Sequence, residues 1–145
     1  PKPPHFDRVV TRGSLHRLLP TADYVILILP GGESTRRMFG KAELDLMKPS
    51  AYLINMARGS VIDEKALISA LRKKRIAGAG LDVFAQEPLP PDHPFYTLPN
   101  VAMTPHTSGD TLNYAHRATA MFLENLRLYL AGRPLFNVVD KKRGY

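Results

Sequence analysis

Four apolar runs, separated by polar stretches bearing glycine or proline, organise the chain. Tyr24-Val-Ile-Leu-Ile-Leu29 is continuous and stops at Pro30. It reads as a strand covered on both faces, as in a parallel sheet. Ala51 to Ala57 is apolar except for Asn55, Ile76 to Val83 carries two glycines, and Val101 to Thr104 is short and closed by Pro105. Helical periods lie between these runs. Lys41 to Met47 is brief, whereas Glu64 to Lys74 puts Ala66, Leu67, Ala70 and Leu71 on one face, with Asp63 placed to cap it. Strand alternating with helix predicts an α/β domain with parallel strands joined by right-handed crossovers.

The clearest helical pattern comes last, over residues 111–131. Leu112, Ala115, Thr119, Phe122, Leu123, Leu126 and Leu130 make one apolar stripe over about five turns. Asp110 or Thr111 is expected to cap it, and Gly132 stands at the C-cap with Pro134 beyond. So one-sided a helix is expected to dock against another surface. The tail Phe136-Asn-Val-Val139 is a short apolar piece, followed by a polar end, Asp140 to Tyr145.

Composition narrows the class. The 145 residues are 44% hydrophobic and 23% charged, enough apolar material for one domain core. No run is long enough to form a helix across a bilayer, and Pro1-Lys2-Pro3-Pro4 lacks the apolar stretch of a signal peptide, so no membrane partner is expected. Cysteine is absent, which excludes disulfides, zinc-thiolate sites and thiol catalysis, and fits a cytoplasmic chain. The formal charge is +7, but the basic residues are scattered. The clusters Arg72-Lys73-Lys74-Arg75 and Lys141-Lys142-Arg143 read as solvated faces, the first complementing a helix C-terminus. No nucleic-acid partner and no metal site are expected.

Ligands of open parallel sheets bind beyond the carboxyl ends of the strands. Arg58 and Gly59 follow the second run, Asp82 and Glu87 the third, and His106, Thr107, Ser108 and Gly109 the fourth. One guanidinium, two carboxylates and one imidazole thus converge on one edge, the makings of an anion clamp and a carboxylate-oriented acid/base. Each has a plainer alternative. Arg58 suits a surface ion pair, His106 a structural turn, Asp82 a loop cap, and Glu87 an exposed loop acid.

Three stretches carry a resemblance: Asn55-Met-Ala-Arg-Gly-Ser-Val-Ile-Asp63, Gly80-Leu-Asp-Val-Phe-Ala-Gln-Glu-Pro88 and Asn100-Val-Ala-Met-Thr-Pro-His-Thr-Ser-Gly109. In order and spacing, from about Leu15 to Gly132, the chain resembles the D-isomer-specific 2-hydroxyacid dehydrogenase family. Ala22 to Pro30 is similar to the family strand that precedes a cofactor-contacting loop. The resemblance implies a Rossmann-type domain, a cofactor (NAD or NADP) and a small 2-keto/2-hydroxy acid substrate. It implies that Arg58 binds the substrate's carboxylate and carbonyl, that His106 is the acid/base, and that Glu87 hydrogen-bonds the imidazole. A carboxylate there favours imidazolium and keeps the acid form available for reduction. Asp82 matches the residue that meets the nicotinamide carboxamide, and Pro30, Met56, Ala57, Ser108 and Gly109 match cofactor-lining positions. Formate dehydrogenases of the same family carry Gln where this chain has Glu87, so Glu87 points to a hydroxyacid/keto-acid couple. The tail is similar to those of glyoxylate- or hydroxypyruvate-reductase-like members. His93 matches a structural loop position, and His5, His16 and His116 lie away from the motifs.

One family feature is missing: no Gly-x-Gly-x-x-Gly occurs in these residues. The expectation is therefore residues 1–132 as a partial NAD(P)-binding domain and 133–145 as a tail returning to a substrate domain. The parent would be a longer homodimeric enzyme and this chain alone inactive, with Lys2 near the point that chooses NAD or NADP. An alternative within the same resemblance is an NAD(H)-sensing corepressor-type binding module.

Overall fold

A computed structural model describes residues 3–142. Lys2 and the end of the basic tail, Arg143-Gly144-Tyr145, lie outside the described residues. The four apolar runs form four parallel strands, β1 (Tyr24–Leu27), β2 (Tyr52–Asn55), β3 (Gly78–Leu81) and β4 (Val101–Met103), side by side in chain order. The register aligns Leu27, Asn55, Leu81 and Met103 across the sheet. This alignment brings the four loops that follow the strands to one edge.

Among the described residues four α-helices accompany the sheet: α1 (Leu15–Leu18), α2 (Lys41–Leu46), α3 (Glu64–Arg72) and α4 (Tyr114–Leu130). The core lies between the sheet and α2 and α3, around Phe39, Leu44, Met47, Leu53, Val61, Leu67, Leu71, Ile76 and Phe95, all almost fully buried. Burying each such large side chain contributes about 1.5–3 kcal/mol. α3 forms as its sequence predicts. Leu67, Ala70 and Leu71 are buried, Ala66 packs beside them, and the Asp63 carboxylate accepts the Ala66 N–H at 3.1 Å. At α2 the Glu43 carboxylate reaches back to accept the Gly40 N–H at 2.9 Å. The basic cluster after α3 is partly structural, since Arg75 donates to the Met47 carbonyl at 2.9 Å.

Two expectations are corrected. The run Tyr24 to Leu29 is not a strand buried on both faces: β1 ends at Leu27 and is an edge strand. Strand side chains alternate, and α2 and α3 cover one face only, so Tyr24 and Ile26 lie exposed on the other. Tyr24 stacks there on Tyr52, with ring centroids 5.9 Å apart. The last helix starts at Tyr114 rather than 111. Asn113 occupies its N-cap without a side-chain bond, while Asp110 closes a turn on the Thr107 carbonyl at 3.0 Å.

The end of α4 is as expected. Gly132 takes a positive φ of 64°, donating to Tyr129 O at 3.0 Å, and Arg133 donates to Leu128 O at 2.9 Å, the paired bonds of a Schellman cap. The Asn125 amide then brackets the Phe136 backbone at 3.2 and 3.1 Å and folds the tail back along the helix. No residue of α4 is buried, and Phe122 and Leu130 are 64% and 76% exposed. Among the described residues no helix is long and apolar enough to cross a membrane.

Candidate active site

The loop after β2 is shaped by Asn55, the one polar residue of its run. Buried at the strand end, it accepts the Ala57 N–H at 3.0 Å and donates to the Arg58 carbonyl at 3.2 Å. Arg58 leaves this tight turn with Nη1 donating to Ala57 O at 2.7 Å. Gly59 then meets the loop after β3 backbone to backbone. A Cβ there would lie 1.9 Å from the Phe84 carbonyl carbon, so only glycine permits the approach. Gly31, from the loop after β1, lies against the Arg58 side chain, where a Cβ would stand 2.8 Å from Arg58 Cγ.

Asp82 is 3% exposed and holds the loop after β4. Its Oδ1 accepts the Thr104 hydroxyl at 2.5 Å and the Thr107 N–H at 2.9 Å, and its Oδ2 accepts the Ser108 N–H at 3.0 Å. Burial pushes its carboxyl up. The bonds from Ser108, through both hydroxyl and N–H, and from Thr104 and Thr107 outweigh that and hold it far below the usual carboxylate range. Asp82 therefore braces the loop after β4, not a turn of its own backbone.

The same loop carries His106, in the left-handed region at φ 57°. Its Nδ1 lies 2.7 Å from Glu87 Oε2, while Glu87 Oε1 accepts the Phe84 N–H at 2.9 Å. Burial raises the Glu87 carboxyl, but the bonds from His106 and Phe84 and the charge of Arg58 bring it below its ordinary value. Glu87 therefore stands as a carboxylate, and the imidazole keeps Nε2 for a ligand. Arg58, Glu87 and His106 share one cleft of about 450 Å³ with Gly31, Gly59, Ser60, Phe84 and Ala85. A second, apolar cavity of about 420 Å³ opens from Glu87 and His106 between Phe84, Leu89, Tyr96, Met103 and Pro105.

The positions expected to line a cofactor follow the same edge. Met56 presents an exposed apolar side chain, Pro30 is exposed, and a Cβ at Gly109 would meet nothing within 4 Å. Ala57 is buried with its N–H and carbonyl engaged, so it serves the fold of the loop. A rim of small and apolar residues beside exposed backbone suits a flat ring bearing an amide, and the residues present fit a nicotinamide. His93 sits away from the cleft, its Nδ1 accepting the Phe95 N–H at 3.3 Å, and His16 pairs with Glu43 at 2.7 Å beside α2. Sequence reasoning left the roles of Asn55, Gly59 and Thr104 unassigned. Asn55 was visible as the lone polar residue in an apolar strand and Gly59 as the glycine after it, but nothing marked Thr104.

Residues 2–108 match the family described as D-isomer specific 2-hydroxyacid dehydrogenase, NAD binding domain. A glyoxylate/hydroxypyruvate reductase B of Enterobacter sp. (strain 638) is 48% identical over 126 residues, 87% of this chain and 39% of that protein. The chain thus spans about two fifths of the length of the curated relatives it matches. A D-isomer specific 2-hydroxyacid dehydrogenase from Xanthobacter autotrophicus Py2, solved in complex with NADPH and MES, aligns with a TM-score of 0.83 and 40% identity, over 92% of this chain and 55% of that one. The NAD-complexed enzyme of the same family from Lactobacillus delbrueckii ssp. bulgaricus aligns with a TM-score of 0.76 and 36% identity, over 86% and 42% of the two chains. Parallel sheet, ordered motifs and family match agree over the same residues, and the chain belongs to the D-isomer specific 2-hydroxyacid dehydrogenase family through its NAD-binding domain.

Proposed function

We propose that this chain forms the catalytic edge of an NAD(P)-dependent oxidoreductase acting on a small 2-keto/2-hydroxy acid of the glyoxylate or hydroxypyruvate type. The observation that carries the reading is the 2.7 Å contact of Glu87 with His106 Nδ1 in the cleft that also holds Arg58. Glu87 on Nδ1 orients the ring and stabilises its charged form, leaving the Nε2 proton for the substrate oxygen. In reduction, His106 gives that proton to the carbonyl oxygen. In oxidation it takes the hydroxyl proton back. Arg58 supplies a planar donor pair for the substrate's carboxylate and carbonyl. Pro30, Met56, Asp82, Ser108 and Gly109 would hold the nicotinamide half of NAD or NADP, with Ala57 shaping the loop behind them, and the bound cofactor would supply or accept the hydride. The sequence holds no Gly-x-Gly-x-x-Gly cradle for the pyrophosphate. Weak dinucleotide binding and little turnover are therefore expected of the 145 residues alone.

An NADH fluorescence titration, with glyoxylate or hydroxypyruvate added at the end, tests this on a polypeptide that joins the chain to such a cradle. Binding followed by oxidation is expected. His106→Asn should lower kcat by about 10²–10⁴-fold and leave NADH affinity largely intact. Turnover preserved with NADH affinity lost would overturn the assigned roles.

A further inference from the structure

We propose that Glu64, the first residue of α3, is a positioning residue that fixes Glu87 against His106 by tying down the loop carrying Glu87 at Ala85. The inference rests on the acid/base reading of that pair. The loop after β3 offers two successive backbone donors. The Phe84 N–H goes to Glu87 itself at 2.9 Å, and the Ala85 N–H goes to Glu64 Oε1 at 2.7 Å. The other oxygen of Glu64 lies 3.7 Å from His93 Nε2. Because His93 Nδ1 accepts the Phe95 N–H, the proton of its neutral ring sits on Nε2, facing Glu64. The His93 ring lies 4.7 Å from the ring of Phe95, which is almost fully buried.

Glu64 therefore bonds the segment at residue 85 and faces it again, beyond hydrogen-bond distance, at residue 93, and Glu87 lies between. The same anchor keeps Phe84 and Ala85 pressed on Gly59, next to Arg58. One carboxylate on a rigid helix thus sets the distance between the substrate-binding turn and the imidazole's partner. A first-turn glutamate also favours the helix dipole. That role needs only its charge, whereas the positioning role needs its reach.

Reach and charge are separable. Glu64→Asp keeps the charge and, one methylene shorter, loses the Ala85 N–H. Glu64→Gln loses the charge and keeps an oxygen in place. Long-range ¹H–¹⁵N correlation spectra of the 145-residue chain, with histidine labelled and the imidazoles neutral, report which nitrogen of His106 bears the proton. Wild type is expected in the Nδ1–H form that Glu87 selects, and Glu64→Gln should match it. Glu64→Asp should move His106 toward the Nε2–H form. In the enzyme carrying the cofactor cradle, kcat should fall about tenfold or more for Glu64→Asp with little change in the KM for NADH. An unchanged Glu64→Asp, or a defect confined to Glu64→Gln, overturns the positioning role. Glu87→Ala separates the two readings, because a His106 signal indifferent to Glu87→Ala removes the acid/base pair as well.

Discussion

Around the carboxyl ends of β2, β3 and β4, no buried side-chain polar atom among the described residues lacks a partner, and loops touch at backbone distance. Along α4, seventeen residues run without one buried side chain, although the helix is as clearly patterned as any part of the sequence. Both regions contain apolar and polar residues in abundance, so composition does not separate them. What separates them is closure. The strand-end loops are bonded to one another by buried carboxylates and amides, with α3 on one side and the sheet on the other. The stripe on α4 and the open face of β1 have no such cover. Site geometry and fold stability therefore draw on the first region, and substitutions in the two regions should have very different costs.

The largest effect is expected at Phe39, which is fully buried and whose backbone pairs with Val61 and Asp63 just beyond the Arg58 turn. Phe39→Ala should cost about 3–5 kcal/mol, read from the urea midpoint. Gly59→Ala comes next, because its Cβ would collide with the Phe84 carbonyl rather than with a movable side chain. A loss of about 1–3 kcal/mol is expected, together with disruption of the Glu87–His106 contact in histidine spectra. An unperturbed Gly59→Ala would show that the two loops are not in register as described.

Asp82 gives a prediction with a pH signature. Its carboxyl is held below its ordinary value in the folded chain. Its contribution is therefore complete above the ordinary carboxylate range, near pH 4, and is lost as pH falls below it toward the depressed value. Asp82→Asn should cost about 1–3 kcal/mol at neutral pH and flatten that acid limb of the stability profile. A variant with the wild-type acid limb would assign the limb to other carboxylates. The smallest effect belongs to α4, where Leu126→Ser should change stability by no more than about 0.5 kcal/mol. A loss of several times that in thermal melts would mean that the stripe is covered in solution, and the contrast between the two regions would fail.

The strands, the α3 cap and the Gly132 cap were legible because they depend on local pattern: apolar runs stopped by proline, a four-residue spacing, a glycine after the last turn. The candidate residues were legible as a set, since a parallel sheet brings the ends of its strands to one edge. Their partners were not. That Asp82 takes its bonds from Thr104, Thr107 and Ser108, or that Ala85 donates to Glu64, depends on contacts across 21 to 26 positions that no periodicity encodes. The exposure of β1 was illegible for a related reason. A continuous apolar run says that a strand can be covered on both faces, and which faces are covered depends on where the helices lie.

The left-handed backbone at His106 has a consequence for occupancy. A non-glycine residue there lies above its relaxed conformation by about 1 kcal/mol or more. Left to itself, a loop with that preference would place the imidazole in its Glu87-bonded position only a minor fraction of the time, of order a tenth. The bonds from Thr104, Thr107 and Ser108 to Asp82 shift that ratio, although none of them touches the imidazole. The fraction of molecules with the imidazole against Glu87 is thus set by a carboxylate that does not touch it.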